Sequence, residues 1–365
     1  MINLSVGEPD FFTPDAIKKA ASQAIEDNYS FYTPVNGYQD LREAICEKLQ
    51  RDNTLSYKPD QIVVSTGAKQ AIANAVLCLV NPGDEVIVPT PYWVSYREIV
   101  KMAEAQAVYV TAGIEQDFKI TPGQLEEAIT EQTRMFIFSS PCNPTGSVYS
   151  RDELKALAEV FARHPRVFIV ADEIYEHINF DGKHESIAQF DEIKDRVILI
   201  NGVSKGFAMT GWRLGYLAAH PEVAKACTKL QGQFTSGTCS ISQRAALEAM
   251  KTDPEITKSM LEKFREHRDL VIDLLKEVPG TATNTPKGAF YLFINVKSYF
   301  GKSDGDIRID NAADFCMYLL KKAHIALVPG SAFGDDECVR FSYATSNDLL
   351  TEAVARMKKA LARLG

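Results

Sequence analysis

Short β-branched and apolar runs alternate with stretches of helical period from about Gln61 onward, and this alternation limits the fold more than any other property of the chain. Parallel strands need crossovers long enough for a helix, so the pattern implies helices laid over both faces of one sheet. The expected strands are 62–65, 85–88, 107–111, 135–139, 167–171, 197–200 and 214–218. Helix starts are punctuated between them. Pro91 precedes a helix expected over 92–102, and Ser150 with Glu153 forms a capping box ahead of one over 154–163. The fold class is therefore α/β, with a three-layer α/β/α domain around a mostly parallel mixed sheet.

After Pro221 the texture changes to long helical periodicity, through 245–250 and again over 255–277, as for a helix that connects two domains. Beyond it come strands at 290–295, 325–328 and 339–342, a helix near 312–323, and a closing helix from Asn347. These suit a smaller α+β domain. At 365 residues the chain exceeds what one core usually serves, so we expect a large domain over 30–275 and a small one built from 1–29 and 276–365.

Forty Lys+Arg against 48 Asp+Glu leave a net charge of −8, which argues against nucleic-acid binding. Apolar runs such as 75–80 are too short to cross a bilayer, and residues 1–5 do not read as a secretory leader. The seven cysteines are scattered with no Cys-x-x-Cys, which suits a reducing cytoplasm. No two of the six histidines stand three or four apart, so no metal centre is expected. Neither a Gly-x-Gly-x-x-Gly fingerprint nor a P-loop ending is present.

Four segments carry chemistry. Ser204-Lys205-Gly206 follows an apolar strand, with Arg213 eight residues on; a solvated loop lysine is the alternative. Asp172 ends the hydrophobic run Val170-Ala171 and is followed by Glu173-Ile174-Tyr175, where it is either a buried carboxylate wanting a cation or a helix cap. Asn143 stands between Pro141 and Pro144, which stiffen its loop. Ser65-Thr66-Gly67-Ala68-Lys69 turns a strand into a helix whose first amides would hold a phosphate, or simply turn.

Pyridoxal 5′-phosphate unites them. Its chemistry needs a lysine to bond the aldehyde carbon, an acid beside the pyridine nitrogen, and positive groups around the phosphate. Tyr175 and Asn143 are suited to a ring oxygen, and Arg340, in Val339-Arg340-Phe341-Ser342, to a substrate carboxylate or a surface ion pair.

These segments, with Ser5-Val6-Gly7-Glu8-Pro9, Tyr32-Thr33-Pro34 and Pro91-Tyr92-Trp93, span nearly the whole chain in a characteristic order. Together they resemble the fold type I pyridoxal-phosphate aminotransferases, and within them the class I aspartate aminotransferase family in its bacterial branch. The resemblance implies Lys205 as the catalytic residue, holding the cofactor and moving the proton. It implies Asp172 at the pyridine nitrogen, Tyr175 and Asn143 at the ring oxygen, and Trp93 on the ring face. Ala68, Lys69, Ser204 and Arg213 would hold the phosphate, and Tyr32 would reach the phosphate of the neighbouring subunit in a homodimer with shared sites.

For substrate, the resemblance implies Arg340 and the Gly7 backbone at the α-carboxylate, beside Trp93 and Asn143. Lys69 would take the distal carboxylate of a dicarboxylic acid; its other reading is added charge near the phosphate. The implied reaction is ping-pong transfer of the amino group from L-aspartate to 2-oxoglutarate. Alternatives are an aminotransferase for prephenate, aromatic substrates or alanine, and a lyase on the same scaffold; a non-catalytic regulator is disfavoured by intact Lys205 and Asp172. The chain departs from the family pattern in two places. Members usually carry an N-terminal arm ahead of the Ser5-Val6-Gly7 segment, and Cys142, read as a packed thiol, stands where a polar or small residue is expected.

Overall fold

A computed structural model describes residues 1–365, with the side chain of Pro254 left aside. Seven strands form the central sheet in the order Ile62–Ser65, Gly215–Ala218, Val197–Gly202, Phe168–Asp172, Thr133–Ser139, Glu85–Thr90, Gln106–Thr111. All pairings are parallel except those of Gly215–Ala218, which runs against both its neighbours. Side chains alternate between the faces with period two. Ile62, Phe136, Ile169 and Leu199 pack into one apolar cluster with Leu41, Ile45, Leu157 and Phe161. Val63, Ile137, Val170 and Ile198 point the other way, into a cluster with Ile72, Val76, Tyr96 and Val223. Burial on both faces is why these strands read as continuous apolar runs.

A third cluster gathers Phe264, Val271, Tyr291, Phe315, Phe341 and Val354 together with Ile2 and Leu4. Its sheet has the order Val328–Pro329, Cys338–Ser342, Tyr291–Asn295, all antiparallel. Ile17 and Ala21, on the helix Asp15–Glu26, pack instead with the first cluster of the central sheet.

The capping box forms as expected: the Glu153 N–H donates to Ser150 Oγ at 3.3 Å, and the Ser150 N–H to Glu153 Oε2 at 2.7 Å. Three expectations shift. The helix after Pro91 is Ser95–Met102 rather than 92–102, because the Tyr92 N–H is taken by the Phe333 carbonyl, which holds Tyr92 and Trp93 in an open loop. The helix expected over 255–277 is Lys258–Leu275. The strand expected over 325–328 divides: Ile325–Ala326 pairs with Ile2–Asn3, while Val328–Pro329 pairs with Cys338–Ser342.

Candidate active site

A cavity of about 580 Å³ lies at the carboxyl ends of the parallel strands, where α/β sheets hold their ligands. Asp172 ends one strand, and Lys205 lies three residues past the end of Val197–Gly202. From the facing antiparallel sheet come Tyr291 and Arg340.

Asp172 is 4% exposed. The Tyr96 hydroxyl donates to its Oδ2 at 2.7 Å and the Ile174 N–H to its Oδ1 at 3.3 Å. Burial pushes the carboxyl up to about 6 against the lowering pull of these bonds. The Lys205 amine donates to the Gly7 carbonyl and lies 5.8 Å from the ring centres of both Tyr175 and Phe290. Burial brings it down to about 8, with Glu8 opposing and Arg340 assisting. A buried amine with a lowered pKa is a nucleophile in waiting.

Gly67, with φ +85°, turns the strand Ile62–Ser65 into the helix Ala68–Leu79. A Cβ there would fall 2.5 Å from an Arg213 nitrogen, and one at Gly215 would fall 2.3 Å from the Ala68 nitrogen. The two glycines thus let the arginine, the strand and the helix start converge. Among the described residues the Ala68 and Lys69 N–H groups carry no hydrogen bond, so they face the cavity as free donors beside Arg213. Arg213 itself is held in the left-handed region, φ 54°, which costs a non-glycine residue roughly 1–2 kcal/mol.

At the other end Arg340 is buried. Its Nη1 donates to Asn143 Oδ1 at 2.9 Å and its Nη2 to the Ser5 carbonyl at 2.7 Å, while Nε is buried with no partner among the described residues. The guanidinium lies 4.6 Å from the Tyr291 ring centre and 4.9 Å from that of Phe333. Because Asn143 accepts through Oδ1, its amide hydrogens remain free to donate into the cavity.

Gly7, Ala68, Lys69, Trp93, Asn143, Asp172, Tyr175, Ser204, Lys205, Arg213 and Arg340 all line this one cavity. Lys69 is solvent-exposed at its mouth, 5.0 Å over the Trp93 ring. Tyr32 is not among the lining residues; it is 98% exposed on the surface. Cys142 lies behind the cavity, its thiol raised by burial and 3.9 Å from the Pro91 carbonyl, as suits a packing role. Sequence reasoning missed Tyr96 and Tyr291. Tyr96 reads as the apolar face of an amphipathic helix and Tyr291 as a strand residue, and neither pattern tells that a hydroxyl points at a strand end.

The pattern of the family described as aminotransferase class I and II matches residues 1–357. A bifunctional aspartate aminotransferase and glutamate/aspartate-prephenate aminotransferase of Petunia hybrida is 50% identical over 366 residues, covering 99% of this chain and 76% of that one. An aspartate/prephenate aminotransferase of Cereibacter sphaeroides is 47% identical over 367 residues, covering 100% and 92%. Among solved structures, the aspartate aminotransferase from Rhizobium meliloti superposes with a TM-score of 0.97 at 44% identity, covering 100% and 92%. That from Thermus thermophilus, solved with maleate, gives 0.92 at 37% identity, covering 99% and 91%. This chain belongs to the class I and II aminotransferases, pyridoxal-phosphate enzymes of fold type I that transfer amino groups.

Proposed function

We propose that the protein is an aspartate aminotransferase that passes the amino group of L-aspartate to 2-oxoglutarate, giving oxaloacetate and L-glutamate. The observation that carries this reading is the convergence, in one cavity, of a buried amine, a buried carboxylate, free helix-start amides and a buried arginine whose Nε has no partner among the described residues.

The donor set suits pyridoxal 5′-phosphate. Bound there, that cofactor supplies an aldehyde carbon and a pyridine ring able to accept electrons. Ala68, Lys69, Ser204 and Arg213 are assigned to its phosphate, Asp172 to its ring nitrogen, Tyr175 and Asn143 to its ring oxygen, and Trp93 to its face. With its value brought down to about 8 rather than the ordinary 10.5, a usable share of Lys205 is free amine just above neutral pH, the form that can take and return the proton at the substrate α-carbon. Arg340 grips the α-carboxylate with the help of Gly7, whose N–H has no bond among the described residues.

Lys69, at the mouth of the cavity, is assigned to the distal carboxylate. The maleate bound in the Thermus thermophilus relative is a dicarboxylate, which supports that choice. The prephenate named for two relatives makes that dicarboxylate a second candidate substrate. A homodimer that borrows Tyr32 from each partner belongs to the same proposal, as does a cytoplasmic location, which seven free cysteines suit. So does the domain division into 30–275 and 1–29 with 276–365, although the helix Asp15–Glu26 packs with the larger unit and Lys258–Leu275 with the smaller one.

One spectrum tests the reading. The visible band of the purified holoenzyme should give way on adding L-aspartate and return with 2-oxoglutarate, while L-alanine and L-phenylalanine act weakly. A band that ignores aspartate would sink the proposed reaction. Lys69→Ser should impair aspartate far more than alanine; equal losses would make Lys69 a phosphate ligand only.

A further inference from the structure

Tyr291 is fully buried at the edge of the cavity and touches three of the assigned groups. Its hydroxyl lies 2.8 Å from that of Tyr175. Its ring supports the Arg340 guanidinium at 4.6 Å. Its oxygen comes so close to Gly7 that a Cβ there would fall 2.8 Å away, and Gly7 is the residue whose carbonyl receives the Lys205 amine.

We propose that Tyr291 is a positioning residue for amino-group transfer: its hydroxyl donates to Tyr175 and directs that phenol's proton toward the cofactor ring, while its ring face braces Arg340 for the substrate carboxylate. The proposal rests on the aspartate aminotransferase reading above. Two hydroxyls that share one contact leave one proton free to point elsewhere. Burial raises both phenols, Tyr175 well above its ordinary value and Tyr291 with the Arg340 charge as the first force opposing the rise; with that guanidinium lying 4.6 Å over its ring, Tyr291 is taken as the donor of the pair. Tyr175 then accepts from Tyr291, and its own proton is left for the cavity. The other ionisable groups around the pair are Lys205, Asp172, Glu8, Arg213 and, behind Tyr291, Tyr343.

Two variants separate the two contacts. Tyr291→Phe keeps the ring and deletes the hydroxyl. Weakening the donor to a ring oxygen disfavours the deprotonated cofactor, so the pH midpoint of the holoenzyme's visible band should rise by about 0.5 to 1 unit, the equivalent of one net hydrogen bond. Its KM for aspartate should stay within about twofold, because the brace under Arg340 remains. Tyr291→Leu removes both, and KM for aspartate and 2-oxoglutarate should rise about tenfold, which corresponds to ~1.4 kcal/mol of lost brace. A role in packing alone would lower thermal stability in both variants and leave the spectral midpoint in place. An unmoved or lowered midpoint in Tyr291→Phe, or equal KM losses in the two variants, overturns the proposal. The spectral titration needs no substrate. A wild-type protein that binds the cofactor but does not answer to aspartate therefore refutes the reaction while leaving the Tyr291–Tyr175 contact open to its own test.

Discussion

Asp172 carries opposite demands. Its proposed role asks for a carboxylate anion beside the nitrogen of a bound ring, and burial at the strand end makes that charge costly when the cavity holds only water. In the folded chain the carboxyl keeps its proton up to about pH 6, against an ordinary value of 3.8. Stability attributable to this group is therefore present below about pH 4 and lost as pH rises through 6, since the unfolded chain ionises first. Asp172→Asn should relieve the penalty. The cofactor-free variant is expected to gain up to about 3 kcal/mol at pH 8 in urea unfolding, shrinking toward zero at pH 4, while turnover falls. A gain that does not change with pH would mean that packing, and not charge, decides the stability at this position.

The turn from Ile62–Ser65 into Ala68–Leu79 works only with glycine at position 67. Gly67→Ala combines a positive φ of +85° with a Cβ 2.5 Å from Arg213. We expect roughly 1–2 kcal/mol of strain and a weaker hold on the phosphate of the cofactor, seen as faster loss of the visible band on dialysis. Unchanged retention would remove the anion role from this helix start. On the opposite side of the sheet, Lys48 on the helix Gln39–Asn53 is buried against Glu176 and donates to Asn53 Oδ1 at 2.9 Å. Although burial resists it, Lys48 with His177 and His184 holds the Glu176 carboxyl well below its ordinary range. Lys48→Met strands that charge and should cost about 3–5 kcal/mol, most of it recovered in Lys48→Met with Glu176→Leu. If the double variant is no better than the single one, the pair is not what is being lost.

The inner central strands could be read from sequence because two covered faces leave an apolar run that period and length identify, and the half-exposed edge strand Gln106–Thr111 because its β-branched and aromatic residues still set a strand run. The short strand Ile2–Asn3 could not, since two residues have no period and the partner lies more than 300 positions away. Lys205, Asp172 and Asn143 could be named because each breaks the pattern of its segment. Tyr96 and Tyr291 obey theirs, and only three-dimensional placement shows where their hydroxyls go.

Phe12, Phe31 and Tyr32 stand 95%, 84% and 98% exposed near the start of the chain. The proposed homodimer would be expected to cover such exposed aromatic side chains. Light scattering should give twice the monomer mass. Tyr32→Phe should keep that mass and lose cofactor affinity, because only the hydroxyl would reach the partner's phosphate; an unchanged affinity would leave Tyr32 as interface packing.

The reversed strand Gly215–Ala218 has a consequence for how such an enzyme can change. A parallel neighbour would have needed a crossover back beneath the sheet, carrying the chain away from the cavity before Arg213 could return to it. Instead Asn201 pairs with Tyr216 and Gly202 with Gly215, so Lys205 and Arg213 stand on one connection, residues 203–214, whose two ends are anchored side by side in the sheet. The backbone acts as a fixed ruler between the two. New substrate preferences in this scaffold are therefore expected to arise around Lys69 and the Ser5–Glu8 segment, which no strand pairing holds at a set spacing.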